Sequence, residues 1–214
     1  MKVDCLTFND FAENTYILSD DSGECAIVDP GCMTHSEQAQ LDDHIKSNGL
    51  KPVLLINTHA HLDHVFGVNY VSQKYHLDLH LHQGEIQLLD AGPQIAKMYG
   101  LELEPNKAKV ITIDEGDVVS FGNTSLEILL TPGHSPASVC FFHRETKQLI
   151  AGDVLFQGSI GRTDLPGGDY DTLIDSITDK LFPLGDDVFV YPGHGPATTI
   201  EVERKSNPFL IGLM

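Results

Sequence analysis

Strand-length apolar runs separated by polar turns set the rhythm of this chain. Lys2–Phe8, Thr15–Ser19 and Glu24–Asp29 read as three β-strands. Asp29-Pro30-Gly31 then forms a turn, because Pro fixes φ and Gly permits φ > 0. Ser36–Ser47 predicts a helix, with Gln38, Leu41, His44 and Ile45 as its inner face. Asn48-Gly49 ends it and Pro52 bars its continuation. The mostly apolar run Val53–Asn57 has the pattern of a strand buried on both faces. It delivers the chain into Thr58-His59-Ala60-His61-Leu62-Asp63-His64. A further strand is predicted at Leu77–Leu81 and helical structure over Glu85–Tyr99, which Gly92-Pro93 is expected to break into two short helices.

Past Pro105 the order partly repeats. Strands are predicted at Asp117–Phe121, Ser125–Leu130, Ser138–Phe142 and Gln148–Ala151. A helix over Tyr170–Leu181, a strand at Val188–Tyr191 and a short helix at Thr198–Lys205 follow. This layout, β-rich and then helix-containing, occurs twice. It predicts an α+β protein of two mixed sheets packed face to face with helices outside. The break near residues 105–115 is read as a seam between two half-repeats, within a single domain covering residues 1–214.

Composition narrows the functional classes. The formal charge of −18 argues against a nucleic-acid partner and against an anionic membrane surface, both of which call for a basic face. No apolar run approaches the ~20 residues that span a bilayer. The N-terminus, Met1-Lys2-Val3-Asp4-Cys5, lacks the features of a signal peptide, so a cytoplasmic location is expected. Cys5, Cys25, Cys32 and Cys140 are scattered without C-x-x-C spacing and read as reduced structural thiols.

The chemistry concentrates in His59-x-His61-x-Asp63-His64. In an extended segment His59 and His61 point to one side, so two imidazoles can reach one ion. Where the chain turns into the next helix, Asp63 and His64 are re-aimed and can reach a second. Three later residues sit alike, each soon after an apolar strand: His134 in Thr-Pro-Gly-His, Asp153 in Ala-Gly-Asp and His194 in Tyr-Pro-Gly-His. Polar residues at strand ends in layered α/β proteins gather along one edge, where ligands bind. Five His and two Asp suit zinc, iron(II) or manganese. The other six histidines, His35, His44, His76, His80, His82 and His143, read as surface or core residues.

Taken together, His59-Ala60-His61-Leu62-Asp63-His64, Pro-Gly-His134, Gly-Asp153 and Pro-Gly-His194 resemble the ligand motifs of the metallo-β-lactamase superfamily, in the right order. The resemblance covers nearly the whole chain from Val28-Asp29-Pro30-Gly31 onward and implies an αββα sandwich with metals at the sheet edges. It implies one ion held by His59, His61 and His134, another by Asp63, His64 and His194, and Asp153 shared between them. Two divalent ions are therefore expected, with zinc first and iron or manganese as alternatives. The stretch from Phe156 to Asp169, with Gly161-Arg162-Thr163-Asp164 at its centre, and the ending Asn207-Pro208-Phe209-Leu210 resemble the short glyoxalase II-like (hydroxyacylglutathione hydrolase) type. Those proteins lack the C-terminal helical domain that carries much of the glutathione site in the long enzymes, and this chain likewise ends soon after His194.

The implied reaction is hydrolysis of a thioester such as S-D-lactoylglutathione to a hydroxy acid and a thiol. A hydroxide bridging two ions about 3.5–4 Å apart would attack the carbonyl. Asp63 would orient that hydroxide, and Arg162 would anchor the substrate. Asp29 reads equally as a turn residue and as a support for the ligands. Rival readings are a mononuclear iron glutathione persulfide dioxygenase, another hydrolase of the same fold (a lactonase or β-lactamase), and a metal-binding module without catalysis.

Overall fold

The computed structural model describes residues 1–212. The chain forms two compact units, one of residues 1–113 with 120–125 and one of residues 114–119 with 126 onward.

In the first unit, β1 (Lys2–Phe8), β2 (Glu13–Ser19) and β3 (Glu24–Val28) make an antiparallel meander. Helix α1 (His35–Ser47) crosses to β4 (Lys51–Ile56), and α2 (Leu62–Val65) with α3 (Val68–Tyr75) crosses to β5 (Leu79–His82). Helix α4 (Ile86–Met98) leads to β6 (Val110–Ile113). The sheet order is β1-β2-β3-β4-β5-β6, parallel from β3 onward, as helical crossovers require. Thr34 caps α1 in a reciprocal capping box with Glu37. Leu41 and Ile45 are buried on that helix, while Gln38 and His44 are only half-buried.

The expected break at Gly92-Pro93 is absent: α4 runs unbroken through Pro93. Proline bars helix in the preceding residue largely through a clash with that residue's Cβ, and Gly92 has none. The same missing Cβ admits the Leu103 side chain, which would stand 3.0 Å from it, and Leu89, Gly92 and Ala96 form a buried face.

The second unit contains β7 (Val118–Phe121), β8 (Thr124–Leu130), β9 (Val139–His143) and β10 (Gln148–Gly152), then the small hairpin β11 (Leu155–Phe156) and β12 (Ser159–Ile160). Helix α5 (Tyr170–Asp175), β13 (Phe189–Pro192), β14 (Thr198–Thr199) and α6 (Ile200–Ser206) complete it. Its main sheet has the order β14-β13-β10-β9-β8-β7, with β10 and β13 parallel. Residues 120–125, the tip of the β7–β8 hairpin, belong with the first unit. There Asp20 Oδ2 accepts the Asn123 N–H at 2.6 Å and the Thr124 hydroxyl at 2.9 Å.

The helix predicted over Tyr170–Leu181 is α only to Asp175. A π-helical turn, Ser176–Leu181, and a 3-10 turn, Phe182–Leu184, follow. Side-chain hydroxyls intervene in this stretch: Ser176 donates to the Pro132 carbonyl at 2.7 Å and Thr178 to the Ile174 carbonyl at 3.0 Å.

Each unit has its own apolar core. Ile17, Ile27, Leu41, Leu55, Leu79 and Leu81 are fully buried in the first, and Leu149, Leu155, Leu173, Ile177, Val190 and Ile200 in the second. All four cysteines are free thiols; burial pushes those of Cys25 and Cys32 up to about 12, so they are inert packing groups at neutral pH. No helix among the described residues is long and apolar enough to cross a membrane.

Candidate metal centre

The seven residues singled out from the sequence fall into two sets, one in each unit. His59, His61, Asp63 and His64 occupy the segment between β4 and α2, and His134, Asp153 and His194 follow β8, β10 and β13.

In the first unit the chain leaves β4 after Ile56, bends at Thr58 and reaches His61, whose extended backbone precedes α2 at its N-cap. The His59 and His61 rings meet edge to face with centroids 4.8 Å apart, and His59 and His64 lie 4.1 Å apart. His59 and His64 are wholly buried. Asp29 organises both. Its Oδ1 accepts the Thr58 N–H at 2.7 Å, and its Oδ2 accepts the Thr58 hydroxyl at 2.5 Å and His64 Nδ1 at 3.1 Å. With its proton given to Asp29, the Thr58 hydroxyl oxygen can accept from His59 Nδ1, 3.0 Å away. Donor atoms of Asp29, His59 and His64 lie within 4.8 Å of one another. The Asp29 oxygens are already engaged by Thr58 and His64, however, so Asp29 acts as an anchor behind the rings. The open choice about Asp29 is thereby resolved: it is at φ +48° in the turn and also holds the histidines.

The backbone of this segment is pinned as closely as its side chains. Asn9 Nδ2 donates at 3.0 Å to both the Gly31 and Asp63 carbonyls, and Asn57 Nδ2 donates to the His64 carbonyl at 2.8 Å. Gly31 leaves no room for a side chain, since a Cβ there would stand 2.8 Å from the Asp63 backbone carbonyl and 2.0 Å from Glu13 Oε2. Glu13 is itself fully buried, and that burial raises its carboxyl well above the usual range.

In the second unit, His134 Nε2 and His194 Nε2 each lie 3.5 Å from the same atom, Asp153 Oδ2. His134 Nδ1 is 2.8 Å from the Arg162 carbonyl, which can only accept, so the proton resides on Nδ1. Gly161 permits this arrangement: a Cβ would stand 1.9 Å from the Asp153 carbonyl and 3.1 Å from His134 Cβ. The Arg162 guanidinium points elsewhere. It grips Asp164 through two bonds of 2.7 Å, and this holds the Asp164 carboxyl at about 2.

Both sets fit a cation by the chemistry of their donors. With Nδ1 committed as a donor, neutral His134 presents the Nε2 lone pair to Asp153, and His64 presents its own to Asp63 Oδ2 at 3.6 Å. Two acceptors face each other in each case, at a spacing beyond a hydrogen bond. A divalent ion satisfies such groups, and a backing hydrogen bond on the far ring nitrogen is the usual support of a metal-binding imidazole.

Sequence reasoning named the seven but passed over Thr58, Asn9, Asn57 and Glu85 as supports. Asn9 and Glu85 carry no local signal, because their partners Asp63 and Ala60 lie 54 and 25 positions away.

Residues 8–194 match the family model of the metallo-beta-lactamase superfamily, and the chain belongs to that family. It shares 41% identity over 199 residues with the probable metallo-hydrolase YqgX of Bacillus subtilis, covering 92% of this chain and 91% of that one. It shares 38% over 215 residues with the hydroxyacylglutathione hydrolase GloC of Haemophilus influenzae, 98% of each. Among solved structures, the BLEG-1 B3 metallo-beta-lactamase superposes with a TM-score of 0.91 at 34% identity, covering 99% of this chain and 100% of that one. TTHA1623 in a di-iron-bound form superposes at 0.86 with 35% identity, covering 97% and 100%.

Proposed function

We propose that this chain is a binuclear metal-dependent hydrolase that cleaves a thioester such as S-D-lactoylglutathione. The observation that carries the reading is the single carboxylate oxygen of Asp153 flanked by two imidazole nitrogens, the disposition of a ligand shared between two ions. The relative named hydroxyacylglutathione hydrolase, matched end to end, supports the substrate class, and the di-iron neighbour supports two ions. In this reading the two units act as one metallo-β-lactamase-like domain. His59, His61 and His134 are ligands of one ion, Asp63, His64 and His194 of the other, and Asp153 of both. Zinc is the expected metal, with iron and manganese compatible with the same donors.

When bound, two such ions supply Lewis acidity toward a carbonyl and water that deprotonates near neutral pH. The chain's own residues do the rest. Asp29, through His64 directly and His59 by way of Thr58, keeps those rings in the tautomer that presents Nε2. Asp63, largely shielded beside His64, would accept a hydrogen bond from the attacking hydroxide and orient it. Arg162 is the anchor for a substrate carboxylate and would exchange Asp164 for it. A thiolate is a good leaving group, so no strong general acid is needed.

The test is elemental analysis of metal-saturated protein beside assays with S-lactoylglutathione, a β-lactam and glutathione persulfide. Two ions per chain with thioester hydrolysis is the expected result. A ceiling of one ion, or oxygen uptake with persulfide and no hydrolysis, would overturn it. The B3 neighbour gives β-lactam hydrolysis a specific claim as the second reading.

A further inference from the structure

A buried glutamate outside the ligand set bears on how the His59–His61 pair is held. Glu85 follows β5 through the 3-10 turn Gln83–Glu85, and its side chain is wholly shielded from solvent. A carboxyl group in such a place is costly unless donors reach it. Its Oε2 accepts the backbone N–H of Ala60 at 2.9 Å. That peptide lies between His59 and His61, and Ala60 is itself buried.

Past the end of β4, sheet pairing still receives the backbone donor of Asn57, which bonds the His80 carbonyl of β5 at 3.0 Å, but it does not receive those of Thr58 and Ala60. Carboxylates do so instead: Asp29 takes the N–H of Thr58 and Glu85 the N–H of Ala60. The two come from different places, Asp29 from the end of β3 and Glu85 from beyond β5. The plane of the His59–Ala60 peptide sets ψ of His59 and φ of Ala60, and so the direction in which each imidazole leaves the backbone. Two rings that must converge on one point tolerate little rotation of that plane.

We propose that Glu85 is a positioning residue that fixes the His59-Ala60-His61 peptide and thereby aims both imidazoles at one ion. The inference rests on the metal-centre reading above. Its essential element is an acceptor atom at Ala60 N–H. Gln keeps that acceptor, Asp withdraws it by one methylene, and Ala removes it.

The experiment measures zinc affinity of the purified full chain by chelator competition, with thermal unfolding of the metal-free protein alongside. Glu85→Ala is expected to weaken zinc binding about 10–100-fold, Glu85→Gln by less than about threefold, and Glu85→Asp by an intermediate factor. A merely structural residue would lower the melting temperature of the metal-free protein and leave affinity unchanged. Wild-type affinity in Glu85→Ala, or equal losses in Glu85→Gln and Glu85→Ala, would overturn the proposal. Should Glu85→Ala fail to fold, Glu85→Asp with wild-type affinity would overturn it as well. Wild-type protein that takes up no metal would sink the metal-centre reading and this inference with it. Uptake with an indifferent Glu85→Ala sinks this inference alone.

Discussion

Asp29 Oδ2 lies 3.1 Å from His64 Nδ1, with both side chains shielded from water. Removing Asp29 therefore unseats His64 and, through Thr58, His59. Asp29→Ala is expected to weaken metal binding about 10–100-fold, measured by chelator competition. Affinity within a factor of two of wild type would show that the rings hold their orientation unaided.

The second expectation concerns Glu13. Burial raises its folded-state carboxyl, so the folded chain holds the proton more tightly than the unfolded chain does. Its contribution is therefore favourable at low pH and is lost as pH rises past the unfolded carboxyl range of about 4.3. In metal-free protein, Glu13→Gln should raise the melting temperature at pH 7 by roughly 2–4 °C, about 1 kcal/mol, and the gain should shrink toward pH 4. A melting temperature that falls at pH 7, or a gain independent of pH, would contradict this.

For the Arg162–Asp164 pair the sign is opposite. Asp164 is held at about 2, so the pair is intact above the unfolded carboxyl range of about 3.9 and breaks as pH falls toward 2. Carboxyl-carbon NMR should give a midpoint near 2 for Asp164, moving up in Arg162→Ala. The same variant should raise KM for a thioester bearing a carboxylate and spare kcat, because anchoring acts equally on ground and transition states. An unchanged KM would end the anchoring role.

Gly161→Ala should be costly, because its Cβ would collide with the Asp153 carbonyl, a backbone atom that cannot swing aside. A loss of about 2 kcal/mol or more in urea unfolding is expected, within the range seen for overpacking. A loss below about 0.5 kcal/mol, typical of neutral surface changes, would show that the loop relaxes.

Much of this architecture was legible along the chain, because period and punctuation are local. β1 was read with its observed ends, and the runs at Glu24, Gln148 and Val188 within a residue or two. Gly92-Pro93 reads as a helix break because both residues disfavour helix singly, whereas in α4 the glycine lacks the Cβ with which the proline would clash. The turn at Ser176–Leu181 reads as ordinary helix along the chain because one of its anchors, the Ser176 bond to the Pro132 carbonyl, comes from 44 residues away. In the candidate site, the residues of His-x-His-x-Asp-His advertise themselves by spacing. Asn9 and Glu85 do not, since nothing near them in sequence hints that their partners are Asp63 and Ala60.

At position 162 the main chain and the side chain have separate employments. The carbonyl receives His134 Nδ1, while the guanidinium engages Asp164 in the open. Any amino acid supplies a carbonyl, so the histidine's orientation does not depend on which residue stands there, provided Gly161 keeps the chain in place. Substitution at position 162 should therefore change what the side chain engages while the bond that orients His134 persists. On the proposed anchoring role of Arg162, substrate preference could change in this loop without disturbing the His134 ring.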